Sequence, residues 1–224
     1  MTPQDCAVIF DVDGVLLELT ATEEDVFFGA FQPWCAPSTL SRDWNSYRIR
    51  NDDNIVDEIM ARLGLPPQLK TRIVADYHAR IGALLANGSL LSHAIPGAAD
   101  LLATLDGKTR LGIATANFRE AARLRLLAAG LWQGVSGLAQ GADGGGHKHE
   151  ILARALHSLK LPRSRIVYVG DNVNDLEAGL RNGVHFIGFS TQQERLEHLA
   201  AAGATYLSGH HAATRILIEN LLNA

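Results

Sequence analysis

The stretch from Ala7 to Leu17 limits the possible folds of this chain more than any other part of its sequence. It begins with four consecutive apolar residues, Ala7–Phe10, which predict a strand buried on both faces and therefore the centre of a parallel sheet. Two carboxylates, Asp11 and Asp13, follow at the C-terminal end of this strand, which is the edge where open α/β sheets bind ligands. Gly14 then allows a tight turn and keeps a side chain away from that edge. Because two neighbouring acids repel each other, one of them needs a cation or a raised pKa, and both remedies indicate chemistry.

The size and charge of the chain narrow the class of protein. With 224 residues it is long enough for one large domain, or for one domain with an insertion. The formal net charge of -4, without a basic block, gives no support for nucleic-acid binding. No stretch approaches the roughly 18 apolar residues of a membrane span, and no charged segment precedes an apolar run at the N-terminus. We therefore expect a cytoplasmic protein without a membrane partner.

The block that follows the first strand is helical in character. Apolar residues recur at helical spacing in Asp52–Leu63 and again in Leu69–Leu85, and a first helix is indicated at Asp25–Phe31. No strand-like run interrupts this block. The predicted domains are a core made of residues 1–17 and 94–224 and a helical cap made of residues 18–93.

After Pro96 the pattern changes to alternating strands and helices. Such alternation implies right-handed crossovers and a parallel sheet with helices on both faces. The predicted fold class is therefore α/β, a doubly wound parallel sheet with an inserted all-helical cap. His210 and His211, at the start of the last helix, are expected at the surface. The later predicted strands are Arg110–Ala114, Val135–Leu138, Ile166–Val169, His185–Phe189 and Thr205–Leu207.

Three of the predicted strands end in polar clusters. These are Asp11 with Asp13, then Thr115–Asn117, then Asp171–Asp175. Parallel strands place all three ends at one edge of the sheet, and therefore in one cleft. A D-x-D-G sequence alone also fits a simple turn, but four carboxylates in one cleft are costly to ionise without positive charge. Lys148, which follows a glycine-rich loop, and a hard divalent cation such as Mg²⁺ are the natural complements.

Four short motifs occur in order along the chain. They are D-V-D-G-V at Asp11–Val15, an apolar strand ending in Thr at Leu111–Thr115, Lys148 at the start of a helix, and G-D-x-x-x-D at Gly170–Asp175. In kind and order they resemble the motifs of the haloacid dehalogenase (HAD) superfamily. The resemblance is to members of the phosphoglycolate phosphatase and β-phosphoglucomutase-like type. It implies a Rossmann-like core with a helical cap, Mg²⁺ as cofactor and a small phosphorylated metabolite as the substrate.

The resemblance also implies a role for each motif residue. Asp11 would be the nucleophile that forms an aspartyl-phosphate, and Asp13 would be the general acid and base. Thr115 and Lys148 would hold the transferred phosphoryl group and neutralise its charge. The implied metal ligands are Asp11, Asp13 through its backbone carbonyl, and Asp171, with Asp175 supporting the metal's waters or orienting Lys148.

Further substrate contacts are expected on both sides of the cleft. On the cap side, Arg48 and Arg50 precede a predicted helix and could contact an anionic substrate, although a solvated face is the simpler interpretation. On the core side, the expected substrate-binding residues are Gly14, Thr115, Ala116, Asn117 and Lys148.

The third motif differs from the family's commoner pattern. Many relatives have a Lys-Pro pair there, whereas in this chain His149 follows Lys148.

The sequence leaves several functions open, with a Mg²⁺-dependent phosphatase, monomeric or homodimeric, as the leading hypothesis. A phosphomutase would form the same aspartyl-phosphate. Mutase relatives carry a cap histidine and lysine near the first motif, and this chain has neither residue type between Asp13 and Arg42. Dehalogenases do not need the second aspartate, and phosphonate hydrolases of the family replace it. A non-catalytic binding protein on the same scaffold would have no use for four clustered carboxylates.

Overall fold

Strand β1, Ala7–Phe10, lies at the centre of a six-stranded parallel sheet in the computed structural model, which describes residues 5–223. It pairs with β2, Arg110–Ala114, on one side and with β4, Ile166–Gly170, on the other. The remaining strands are β3, Ala139–Gln140, β5, His185–Phe189, and β6, Tyr206–Ser208. The strand order β3-β2-β1-β4-β5-β6 confirms the predicted doubly wound sheet. Residues 1–4 and Ala224, which belong to the predicted core domain, lie outside the described residues.

Helices cover both faces of the sheet because the strands are apolar on both. Successive side chains of a strand point to opposite faces, so Val8 and Phe10 enter one apolar cluster while Ala7 and Ile9 enter another. The first face packs on α4, Ala98–Leu105, α5, Arg119–Ala128, α6, Trp132–Val135, and α10, His211–Asn223. The second face packs on α7, Lys148–His157, α8, Val173–Arg181, and α9, Gln193–Ala201.

Three α-helices lie between β1 and α4 and share an apolar cluster of their own. They are α1, Ala21–Gly29, α2, Asp52–Arg62, and α3, Lys70–Ala86. The chain leaves the sheet at Leu17 and returns at Ala94, where these two residues form an isolated antiparallel bridge. Phe118 and Ala121 join the cluster of the helical insert, so the insert packs directly on the start of α5. Within residues 5–223, no helix is both long enough and apolar enough to span a bilayer.

Two local predictions are wrong. The strand expected at Val135–Leu138 is instead the end of α6 followed by a 3-10 turn at Ser136–Leu138, and the edge strand is the two-residue β3. The turn presents Leu138 to the sheet beside Gly112, which explains its apolar pattern. His211, expected at the surface, is buried with its ring stacked on Phe189, because α10 packs its first turn against the sheet.

Candidate active site

A cavity of about 820 Å³ lies where the C-terminal ends of the central strands face the helical insert. Asp11 and Asp13, which follow β1, line it together with Thr115, Ala116 and Asn117, which follow β2. Asp171, after β4, and Lys148, the first residue of α7, complete the core side of this cavity. The structure thus brings together residues that are far apart in the sequence.

The Lys148 ammonium contacts two buried carboxylates, those of Asp11 and Asp175. Its Nζ lies 2.7 Å from Oδ2 of Asp11 and 3.1 Å from Oδ1 of Asp175. Glu150 fixes this position, because its carboxylate accepts a hydrogen bond from the His147 backbone N–H at 2.6 Å and so defines the start of α7. The lysine of the predicted third motif therefore reaches the end of β1 from a separate helix.

Asp175 is fully buried, and both of its carboxylate oxygens are used by the protein. Its Oδ1 accepts a 2.6 Å hydrogen bond from the Tyr168 hydroxyl as well as the contact with Lys148. Its Oδ2 accepts from the backbone N–H groups of Asp171 and Asn172, at 3.2 and 3.3 Å. This arrangement suits a residue that holds the turn after β4 and orients Lys148.

Asp11, Asp171 and Asp175 form an acidic group that could hold a metal ion, with one oxygen of each residue within 4.8 Å of the others. Burial raises the pKa of Asp11 well above its usual range, against the opposing effect of the Lys148 ammonium. Burial and the neighbouring Asp175 raise the pKa of Asp171 to about 6. Oδ2 of Asp171 also accepts a 2.8 Å hydrogen bond from Arg195 on α9. Hard oxygen ligands of this kind fit Mg²⁺.

Gly14 allows the carboxyl group of Asp171 to lie close to the turn after β1. Its backbone has a φ of +73°, a conformation that glycine adopts readily, and a Cβ at this position would overlap the carboxyl group of Asp171. The lack of a side chain at Gly14 therefore leaves room for the carboxyl group of Asp171.

The carboxylate of Asp13 lies outside the acidic group and points to a buried arginine. Arg125, on α5, donates from Nη2 to Oδ1 of Asp13 at 2.6 Å and from Nη1 to Oδ1 of Asn117 at 2.8 Å. Its Nε lies 2.7 Å from Oε1 of Glu23 on α1. Sequence reasoning missed Arg125, although a signal exists, because it falls on the same face of α5 as the buried Ala121 and Ala122.

The start of α2 is hydrogen-bonded to the loop after β2. The backbone N–H of Asp52 donates to the Ala116 carbonyl at 2.9 Å, and Oδ2 of Asp52 accepts from the Phe118 N–H at 2.8 Å. Burial, partly offset by this last hydrogen bond, raises the pKa of Asp52 to about 7. Next to it, Asn51 Nδ2 donates to the Gly146 carbonyl at 2.6 Å. The insert therefore contacts the two core loops that carry Thr115 and Lys148.

Arg48 and Arg50 line the outer part of the cavity on the insert side. The side chain of Arg48 is 89% exposed, with Nε 3.8 Å from Oε2 of Glu58. Nη1 of Arg50 donates to Oδ1 of Asn45 at 2.8 Å. Both arginines lie where a substrate could enter, and neither is among the charges paired with Asp11, Asp13 or Asp171 in the described structure.

Comparison with known proteins gives a family match along most of the chain. Residues 8–189 match the family described as haloacid dehalogenase-like hydrolase. The sequence is also 28% identical over 213 residues to a Mycobacterium tuberculosis protein named tyrosine-protein kinase PtkA, a similarity that covers 92% of this chain and 69% of that protein.

Solved structures share the same architecture. CbbY from Rhodobacter sphaeroides in complex with phosphate superimposes with a TM-score of 0.71 at 22% identity, over 95% of this chain and 96% of CbbY. A putative β-phosphoglucomutase from Thermotoga maritima gives a TM-score of 0.63 at 21% identity, over 95% of this chain and 98% of that protein. At such low identities these similarities establish the fold.

Proposed function

Since the chain belongs to the haloacid dehalogenase-like hydrolase family, we propose that it is a Mg²⁺-dependent phosphoric monoester hydrolase acting on a small phosphorylated metabolite, of the phosphoglycolate or sugar-phosphate type. The observation that carries the proposal is the contact of the Lys148 ammonium with Asp11 and Asp175 at the inner end of the cavity. A nucleophilic carboxylate beside a fixed cation is what phosphoryl transfer requires.

In the proposed reaction, a carboxylate oxygen of Asp11 attacks phosphorus and the bond between phosphorus and the ester oxygen breaks. Asp13 donates a proton to the departing oxygen, which leaves as an alcohol. Asp13 then accepts a proton from a water molecule as that water attacks the aspartyl-phosphate and releases inorganic phosphate. Lys148 and the Thr115 loop hold the phosphoryl oxygens during both steps.

The residues at the sheet edge fit a divalent cation. Asp11 and Asp171, with the backbone carbonyl of Asp13, would hold Mg²⁺, and Asp175 would orient Lys148 and the turn after β4. When bound, the cation would neutralise charge on the phosphoryl oxygens.

Substrate selection is assigned to the insert. The proposed partition is a core of residues 1–17 and 94–224 and a cap of residues 18–93, and the hydrogen bonds of Asn51 and Asp52 to core loops support it as a cover over the cavity. Arg48 and Arg50 would contact an anionic part of the substrate beyond the phosphoryl group. The CbbY complexes with phosphate and with xylulose-(1,5)-bisphosphate support the choice of a sugar phosphate.

A phosphotransferase that passes the phosphoryl group to an acceptor other than water is the second candidate. It is favoured by the similarity to a protein named tyrosine-protein kinase and by the shared fold of a putative β-phosphoglucomutase. The two candidates share Asp11 as the nucleophile and differ in what attacks the aspartyl-phosphate.

The test is phosphate release from a panel of phosphorylated metabolites, with Mg²⁺ and with EDTA. The variants are Asp11→Asn and, as a matched control, Asp100→Asn, an exposed acid on α4. We expect Mg²⁺-dependent release that Asp11→Asn abolishes and Asp100→Asn leaves intact. Transfer of phosphate to a second sugar phosphate or to tyrosine, without release, would identify the phosphotransferase instead. Unchanged activity in Asp11→Asn would refute the nucleophile assignment.

A further inference from the structure

Arg125 is a buried cation that joins three separate segments of the chain. Only 3% of its side chain is exposed. Its guanidinium contacts Asp13 in the turn after β1, Glu23 in α1, and Asn117 in the loop after β2. A guanidinium is planar and presents its donors in a fixed geometry, so the hydrogen bonds from Nη2 to Asp13 and from Nη1 to Asn117 hold these two residues relative to each other, and Glu23 adds an ion pair at Nε.

Because Arg125 is buried, its charge needs partners within the protein. A charge removed from water is tolerated only when it is paired, and Arg125 has two acidic partners, so Glu23 can balance the guanidinium while Asp13 carries the proton that it donates. All three residues line the cavity, so the cluster lies beside the reacting groups. A purely structural ion pair would not need to include the residue that we assign to proton transfer.

We propose that Arg125 is a positioning residue for Asp13 and that Glu23 makes this positioning depend on the docking of α1. This inference rests on the proposed function, in which Asp13 protonates the departing oxygen. The contact uses Oδ1 of Asp13, and we assign Oδ2 to the departing oxygen. Because Glu23 belongs to the insert, the acid is held in place when the insert is packed on the core.

The leaving group distinguishes this role from general support of the fold. p-Nitrophenolate departs readily without a proton, whereas phenolate is a much poorer leaving group and depends on a positioned acid. We compare kcat/KM, which reports the steps up to the departure of the leaving group, for p-nitrophenyl phosphate and phenyl phosphate in wild type, Asp13→Asn, Arg125→Met, Arg125→Lys and Glu23→Gln. Arg123→Met is the matched control, because Arg123 lies on the same helix and pairs with Glu120 nearer the surface.

We expect Arg125→Met to lower kcat/KM for phenyl phosphate by about tenfold or more beyond its effect on p-nitrophenyl phosphate, in the same direction as Asp13→Asn. Arg125→Lys should recover part of the loss, and Arg123→Met should change neither rate. In the Asp13→Asn background, Arg125→Met should add no further leaving-group dependence, because the two residues act as one unit. Glu23→Gln, which preserves side-chain size, should show the same selectivity to a smaller extent, and it provides the test if Arg125→Met fails to fold.

Suppose that Asp13→Asn loses more activity on phenyl phosphate than on p-nitrophenyl phosphate. Equal losses on both substrates in Arg125→Met, or in Glu23→Gln, would then overturn the inference. If wild type releases phosphate from neither compound, or if Asp13→Asn shows no leaving-group dependence, the proposed function fails at its acid–base step and the inference falls with it. The two failures are therefore distinguishable.

Discussion

Nζ of Lys148 lies 2.7 Å from Oδ2 of Asp11, so the first residue of α7 holds a cation against the end of the central strand. The contact explains how a buried carboxylate is tolerated there, and it places positive charge where a phosphoryl group would bind.

Replacing Lys148 with Met should therefore affect both stability and turnover. We expect kcat for phosphate release to fall by about 100-fold or more, because a charge that stabilises the transition state is lost. The thermal unfolding temperature should also fall, since Asp11 and Asp175 lose their cation. Lys108→Met, at an exposed turn lysine, is the control. An unchanged kcat in Lys148→Met would remove this lysine from the proposed mechanism.

Gly14→Ala tests the tight approach of the chain to Asp171. Gly107 has a similar φ of +69° but nothing within 4 Å of its missing Cβ, so Gly107→Ala measures the backbone effect alone, about 1 kcal/mol. Gly14→Ala should destabilise the protein by more than this and should weaken Mg²⁺ binding, measured by calorimetry, because the added methyl group displaces the Asp171 carboxyl. Equal effects of the two substitutions would contradict this explanation.

Asp52 should make the protein less stable as the pH rises. Its pKa is raised from 3.8 to about 7, so the folded state binds more protons than the unfolded state between these values. The free energy of unfolding should therefore fall from pH 4 to pH 7, by up to about 4 kcal/mol from this group. Asp52→Asn retains an acceptor for the Phe118 N–H without the charge, and it should raise the unfolding temperature at pH 8 more than at pH 5. The same gain in Asp100→Asn would assign the effect to net charge instead.

His211 should have the opposite pH dependence. Its Nε2 lies 2.9 Å from the Val15 carbonyl, and burial lowers its pKa from 6.5 to about 4. The stability linked to this neutral imidazole is complete above pH 6.5 and is lost as the pH falls toward 4, by up to about 3 kcal/mol. His211→Gln cannot titrate, so urea unfolding should show a smaller loss between pH 6.5 and 4.5 than in wild type. The exposed His157→Gln should retain the wild-type slope.

The sequence predicts the sheet well because its signals are local. Apolar runs define β1, β2, β4 and β5, and the polar residues at their ends meet because parallel strands share one edge. The edge strand β3 cannot be placed in this way, because two residues carry too weak a pattern to distinguish it from the preceding turn.

The partners of the site residues could not be predicted in the same way. Arg125 reaches Asp13 only through the packing of α5 against the turn after β1, and Tyr168 reaches Asp175 because β4 turns directly into α8. Such pairs depend on distances in space. A charged residue on the apolar face of a predicted helix, as at Arg125, is the sequence signal that could have identified one of them.

The central position of β1 has a consequence for biosynthesis. A ribosome releases β1 before the other strands of this sheet, and its two neighbours begin at Arg110 and Ile166, far later in the chain. Until those segments emerge, an apolar strand has two unpaired edges, which is the condition that favours aggregation and chaperone binding. The helices of the insert emerge in between and pack on one another across shorter stretches of chain than those that separate β1 from its neighbours, so they are expected to fold before the sheet that surrounds β1.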